Sequence, residues 1–300
     1  MLKIEKNSEI YPFSKGIIAR SILPTGLPIE TIYGIVEEVE EYFQHREDPV
    51  TAAEIHDTVT QILAKRGLES EKNRYRISRK IANLGKPLVI LIGGTAGVGK
   101  STIAAALTRR LGIQRVIGTD EIREVMRYML PKDLVPALHE SSFNAGDVLS
   151  GPDIRENVLV GFCRQAGLVN RGVHAYIKRT EQEGLKTIFN GVHLVPGMLK
   201  LEEKKNSLLI FHYLITLHDK DTHIQRFHYR ADGSYRKAER YIEKVERIRS
   251  IQKYSVKEAR KSGAKIIENT NIGRAVTEIV DDLIDNLQKE KTDGKTNPAR

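Results

Sequence analysis

Residues Gly94-Thr95-Ala96-Gly97-Val98-Gly99-Lys100-Ser101 follow directly on the apolar run Leu88-Val89-Ile90-Leu91-Ile92. A turn of the form G-x-x-x-x-G-K-[ST] between a buried strand and a helix constrains the fold more than any other feature of the chain. The string arises by chance in about one chain of this length in a hundred. Its chemistry is specific. Glycines let the backbone wrap a phosphate closely, and successive N–H groups at a helix N-terminus form an anion nest. Gly94 through Ser101 and Thr102 are therefore the candidate nucleotide-binding residues. Lys100 is placed to reach the β- and γ-phosphates, and the Ser101 hydroxyl to ligate Mg²⁺. The alternative is a glycine-rich turn that holds no ligand.

After Pro87 short apolar strands alternate with helices. Strands are expected at Leu88–Ile92, Arg115–Ile117, Lys186–Phe189, Leu208–Leu217 and Lys265–Ile267. The helices between them are expected at Lys100–Leu111, Glu121–Met129, Pro152–Ala166 and Arg171–Glu183, then across a charged stretch from about 219 to 261. Such alternation implies an α/β fold, a parallel sheet flanked by helices. Residues 1–84 read as mainly helical, with helices at Ser14–Leu23, Thr31–His45, Thr51–Arg66 and Asn73–Leu84. Gly85-Lys86-Pro87 marks a boundary. The expected organisation is a small domain over 1–84, a nucleotide-binding domain over 87–287 and a disordered polar tail over 288–300.

Composition narrows the class. With 40% hydrophobic and 29% charged residues, the chain can build a core. Its apolar runs fall short of the ~20 residues a membrane helix needs. No apolar leader opens the sequence, and a single cysteine, Cys163, excludes a disulfide framework. A cytoplasmic protein is expected, with no membrane partner. The net charge of +9 suits nucleic acid, small polyanions such as ATP or sugar phosphates, or simply a solvated basic surface. With aromatic residues at 6%, no Trp and no aromatic residues recurring in a basic stretch, there is no stacking platform, so no nucleic-acid partner is expected. A homo-oligomer stays open.

Beyond the glycine turn, Asp120, Arg123 and Arg127 fall at i, i+3 and i+7, on one helical face after the second strand. One carboxylate and two guanidiniums there suit an anionic acceptor, Asp120 positioning or deprotonating its hydroxyl. The plainer reading makes Asp120 a helix cap and the arginines a solvated face. Arg226, Arg230, Arg236 and Arg240 flank an Asp232-Gly233 turn and could form a lid over the triphosphate; pairing with Glu239, Glu243 and Glu246 is the alternative. Asn190 ends the third strand, where a Mg²⁺-organising carboxylate is common. His193 follows it as a ligand, a shuttle or a buried hydrogen-bonder. Cys163 is read as core.

Together with the glycine turn, the segments Thr119–Arg127, Gly191-Val192-His193-Leu194-Val195-Pro196-Gly197, Leu138–Ala145 and Ile248–Tyr254 resemble the archaeal 2-phosphoglycerate kinases, P-loop enzymes. The resemblance covers nearly the whole chain. It implies ATP- and Mg²⁺-dependent phosphorylation of 2-phosphoglycerate to 2,3-bisphosphoglycerate, the precursor of cyclic 2,3-bisphosphoglycerate. Combined with the residue readings above, the candidates are Lys100, Asp120 and Arg230 as catalytic residues, Asp120, Arg123, Arg127 and His193 as acceptor-binding residues, and Ser101 and Asp120 as metal ligands. The N-terminal part, with Ile10-Tyr11-Pro12-Phe13-Ser14-Lys15, resembles an ATP-cone domain, implying a regulatory nucleotide site near Lys6 and Lys15. The usual Val-x-Lys-Arg start of that domain stands here as Ile4-Glu5-Lys6-Asn7, and Asn190 replaces an acidic residue of the family. Competing functions are a kinase of another small hydroxyl substrate (gluconate or shikimate type), an ATP-sensing binding module and a nucleic-acid-binding ATPase. The segment around His139 and Ser142 is the next candidate for the acceptor surface.

Overall fold

The computed structural model describes residues 2–6, 9–149, 154–199, 207–232 and 238–293. The chain forms two compact units, residues 1–85 with 108–112, and residues 86–107 with 113–300.

The first unit carries three strands that the sequence reading missed. β1 (Lys3–Lys6) pairs antiparallel with β2 (Glu9–Pro12) and parallel with β3 (Val50–Thr51). They escape a hydrophobicity search because β2 is exposed along its whole length and β3 has two residues. Four helices follow the expected stripes: α1 (Lys15–Ile22), α2 (Ile29–Phe43), α3 (Ala52–Lys65) and α4 (Glu69–Ala82). Ser14 caps α1 by accepting from the Ile17 amide. Thr51 and Glu54 cap α3 reciprocally. Ile22, Ile32, Ile35, Val36, Val39, Val59 and Leu63 close the core.

The second unit is a five-stranded sheet in the order β5-β6-β4-β7-β8, and every pairing is parallel. The strands are β4 (Leu88–Gly93), β5 (Arg115–Gly118), β6 (Lys186–Gly191), β7 (Leu209–Thr216) and β8 (Lys265–Glu268). β4 is buried throughout and central, as its unbroken apolar run requires of a strand covered on both faces. Its Val89 and Leu91 pack with Ile122, Val169, Val173 and Ile177. These come from α6 (Thr119–Met129) and α8 (Ile154–Gln182). α5 (Lys100–Leu111) leaves the glycine turn. The chain builds β5 and β6 on one side of β4 and then crosses to β7 and β8 on the other. The carboxyl end of β4 is therefore the switch point, where such sheets open a ligand crevice.

Several boundaries differ from the expected ones. α8 is one helix of 29 residues, not two. Gly167 lies between the two expected helices, and a methyl group there would meet nothing within 4 Å. Ala166, Val169, Val173 and Ile177 keep one buried stripe running through it, and a single helical glycine costs only about 1 kcal/mol. Pro152 lies outside the described residues. The charged stretch resolves into α9 (Lys220–Asp232), α10 (Glu239–Ile242) and α11 (Val245–Ser262). α7 (Pro136–His139) was not expected. α12 (Ile272–Asp293) runs past Gln288, where the tail was expected to begin; residues 294–300 lie outside the described ones. Among the described residues no helix is long and apolar enough to cross a membrane.

Candidate active site

The turn after β4 is held through its own carbonyl groups. Lys100 Nζ donates to Thr95 O at 2.6 Å. His223 Nε2 donates to Ala96 O at 2.7 Å. Asn269 Nδ2 donates to Val98 O at 2.8 Å, with Arg226 Nη1 at 3.4 Å from the same oxygen. The C=O and N–H of a trans peptide point to opposite sides. Tying the Ala96 and Val98 oxygens to His223 and Asn269 therefore turns the amides of Gly97 and Gly99 away from those side chains. Gly94, Gly97 and Gly99 have φ of +140°, +82° and +88°, which side-chain-bearing residues rarely adopt. With α5 starting at Lys100, the result is the amide nest that a polyphosphate fits.

A cavity of about 800 Å³ opens beside this nest. Lys100 and Ser101 line its nucleotide end, and Asn190 enters from the end of β6. Asp120 and Arg123 enter from α6, Ser141 and Ser142 from the turn after α7, and Arg240 and Tyr241 from α10. Ser101 Oγ donates to Asn190 Oδ1 at 3.3 Å. The Asp120 side chain is 63% exposed, 3.6 Å from Arg123 Nε, so its carboxylate remains open to a ligand. The α6 N-cap is Gly118. Asp120 thus sits in the first turn of the helix and is not its cap. Ser141 Oγ is buried with no hydrogen-bond partner among the described residues. The oxygen donors of Ser101, Asn190 and Asp120 suit Mg²⁺, which takes few protein ligands and keeps water and phosphate oxygens. No cluster of three His, Cys, Asp or Glu occurs among the described residues, so a metal held by protein ligands alone has no such cluster there.

No family model matches the chain. A 2-phosphoglycerate kinase from Pyrococcus furiosus is 39% identical over 284 residues, covering 94% of this chain and 93% of that protein. One from Thermococcus kodakarensis is 39% identical over 279 residues, covering 93% and 94%. The chain belongs to the 2-phosphoglycerate kinase family. Among solved structures it is similar to a gluconokinase from Sinorhizobium meliloti, with 15% identity and a TM-score of 0.40, over 68% of this chain and 97% of that one.

In this member of the 2-phosphoglycerate kinase family, some residues expected at the acceptor lie elsewhere. Arg127 does not line the cavity; its Nη1 donates to Glu124 at 2.7 Å, one turn back on its own helix. His193 is fully buried and does not line it either. Both its ring nitrogens are engaged, Nδ1 with Thr119 Oγ1 at 2.7 Å and Nε2 with Gln165 Oε1 at 3.0 Å. Burial pushes its pKa down to about 4, so the ring is neutral near pH 7. Arg123 lines the cavity, but its Nη1 donates to Leu138 O and Glu140 O at 3.0 and 2.8 Å. The Arg230 side chain and all of Arg236 lie outside the described residues. Among the described residues Arg226 pairs with no glutamate; it donates to Val98 O and to Asn269 O. Lys15 is paired with Glu40 at 2.7 Å, and the Lys6 side chain lies outside what is described. Cys163 is half-buried and, like Tyr254, packs against the buried cluster containing Phe162.

His223, Gln165 and Asn269 went unnoticed in the sequence of this kinase-family chain. Each is a lone polar residue with no motif around it, made significant by partners 127, 28 and 171 positions away. His223 stacks on Phe227 at 5.0 Å, and Phe227 on Tyr241 at 5.2 Å. Burial lowers the His223 pKa.

Proposed function

We propose that the chain transfers the γ-phosphoryl group of ATP to the free hydroxyl of 2-phosphoglycerate, giving 2,3-bisphosphoglycerate and ADP. One observation carries this reading. A single cavity joins the Lys100–Ser101 end of an amide nest to a wall bearing the guanidiniums of Arg123 and Arg240, the hydroxyls of Ser141, Ser142 and Tyr241, and the carboxylates of Asp120, Glu121 and Glu124. The named relatives, nearly full-length matches, support the same substrate. The hydroxyl oxygen forms a bond to Pγ as the bridging bond to ADP breaks. Asp120 orients that hydroxyl and takes its proton or passes it to solvent. Lys100 stabilises charge on the transferred group. Arg123, Arg240, Ser141 and Ser142 receive the acceptor's phosphate and carboxylate, which together carry about three negative charges near neutral pH. Ser101, Asn190 and Asp120 would hold Mg²⁺, which when bound neutralises charge on the β- and γ-oxygens.

Single-turnover transfer of labelled γ-phosphoryl to 2-phosphoglycerate, glycerate, gluconate and shikimate tests the reading. 2-Phosphoglycerate should be the preferred acceptor. Lys100→Met should lower transfer by orders of magnitude while leaving the circular dichroism spectrum intact. A preference for glycerate or gluconate would remove the substrate and keep the kinase. Binding of ATP with transfer to none of them would leave a nucleotide-sensing module.

A further inference from the structure

The acceptor side of the cavity is braced by a buried chain of hydrogen bonds that never reaches the nucleotide loop. Gln165, in the middle of α8, is fully buried. Its Nε2 lies 2.5 Å from Ala137 O and 2.9 Å from Glu140 O. Both are carbonyl oxygens and can only accept, so the amide nitrogen must face them. Gln165 Oε1 then faces His193 Nε2 at 3.0 Å and must accept from it. That places the His193 proton on Nε2 and leaves Nδ1 bare to accept from the Thr119 hydroxyl at 2.7 Å. Every direction in the chain is thereby determined: Thr119 to His193, His193 to Gln165, Gln165 to the two carbonyls. Thr119 is fully buried as well, against Gly191, where an added Cβ would lie 1.8 Å from its Oγ1.

Each end of this chain is one bond from the cavity. Thr119 precedes Asp120, His193 follows Val192, and Glu140 precedes Ser141; Asp120, Val192 and Ser141 all line it. Arg123 donates to Glu140 O from the other side. The nucleotide loop hangs on a different set, Lys100, His223, Asn269 and Arg226. No residue is shared between the two sets.

We infer that Gln165 and His193 are positioning residues dedicated to the acceptor. They form a strut that sets the Ser141–Ser142 wall against Asp120 without touching the nucleotide loop. This rests on the reading above that this wall receives the acceptor. The strut acts on the apparent acceptor constant and leaves ATP binding alone, because its loss moves the wall and not the nest.

The test uses the full chain with Gln165→Met, which keeps volume and removes both polar functions, and His193→Gln, which retains a donor toward Gln165. In steady-state kinetics Gln165→Met should raise the KM for 2-phosphoglycerate at least about tenfold, with the KM for ATP within about twofold. His193→Gln should show a smaller rise of the same kind. Amide hydrogen exchange without substrates should quicken at residues 138–142 in Gln165→Met and stay unchanged at 95–101. A parallel rise in both KM values, or exchange quickening equally in both segments, would reduce the strut to general packing and overturn the inference. So would an unchanged acceptor KM. If wild type prefers a different acceptor, the substrate reading fails; the strut is then judged on that acceptor's KM and on the exchange pattern.

Discussion

Substituting Gly97 by alanine tests how the phosphate loop is held. Two separate costs can be worked out at this position. Its φ is +82°, and an alanine in the left-handed region costs about 1–2 kcal/mol. The added Cβ would also stand 2.7 Å from Phe227 Cε1 and 2.8 Å from His223 Nε2 and Cδ2. These are ring atoms in a stacked pair at 5.0 Å, so neither can swing aside without moving the other. Overpacking of this kind costs about 1–3 kcal/mol, for a total of about 2–5 kcal/mol. Relief comes most readily by displacing His223, which breaks its bond to Ala96 O and loosens the nest. Gly184 separates the two costs: its φ is +63°, but nothing lies within 4 Å of an added Cβ. Gly184→Ala should therefore cost only the backbone share, about 1–2 kcal/mol, and leave nucleotide binding unchanged. Urea denaturation measures the two stabilities, and calorimetric titration with ATP measures affinity. Gly97→Ala should weaken ATP binding at least about tenfold. If it destabilises no more than Gly184→Ala, or binds ATP as wild type does, then His223 and Phe227 do not brace the loop and the account is wrong.

Asp120→Asn should lower kcat by about 10²-fold or more with the ATP constant nearly unchanged, if the carboxylate handles the hydroxyl proton; equal turnover in rapid-quench assays would remove it from the chemistry. Arg240→Gln should raise the 2-phosphoglycerate KM about tenfold or more and narrow the preference over glycerate, whereas Arg127→Gln should change neither, because Arg127 lies outside the cavity lining. A larger effect at Arg127 would move the acceptor site along α6. Stability should depend on pH through His193, fully buried, and His212, half-buried on β7, both held down to about 4 by desolvation. Their folded pKa values lie below the unfolded value of about 6.5, so the unfolded chain binds more protons between those limits. Stability is thus complete above about pH 7 and falls as pH drops from about 6.5 toward 4. Urea midpoints across that range should show a shallower fall in His212→Gln, and an equal slope would mean that the ring does not titrate as described.

Much of this protein is written locally. The run Leu88–Ile92 is apolar at every position, which only a strand covered on both faces tolerates, and β4 is that central strand. Gly94–Ser101 specifies its backbone through the glycines and its chemistry through Lys100. Ser14, Thr51 and Gly67 mark helix ends through bonds and torsions that span only a few residues. The β1–β2 hairpin and the unbroken α8 were not legible, because exposed strands carry no alternation and packing along one helical face outweighs a single glycine. The site divides the same way. Helical spacing put Asp120, Arg123 and Arg127 on one stripe, and in three dimensions the cavity wall takes the first two and leaves Arg127 to Glu124. Sequence left His193 open between a ligand, a shuttle and a buried hydrogen-bonder; tertiary structure decides for the last, with Thr119 and Gln165 using up both nitrogens. His223 and Asn269 carried no signal at all. Their role comes from a carbonyl more than a hundred residues away, and a pairing at that distance is set by how the sheet and its helices close, which no local pattern encodes.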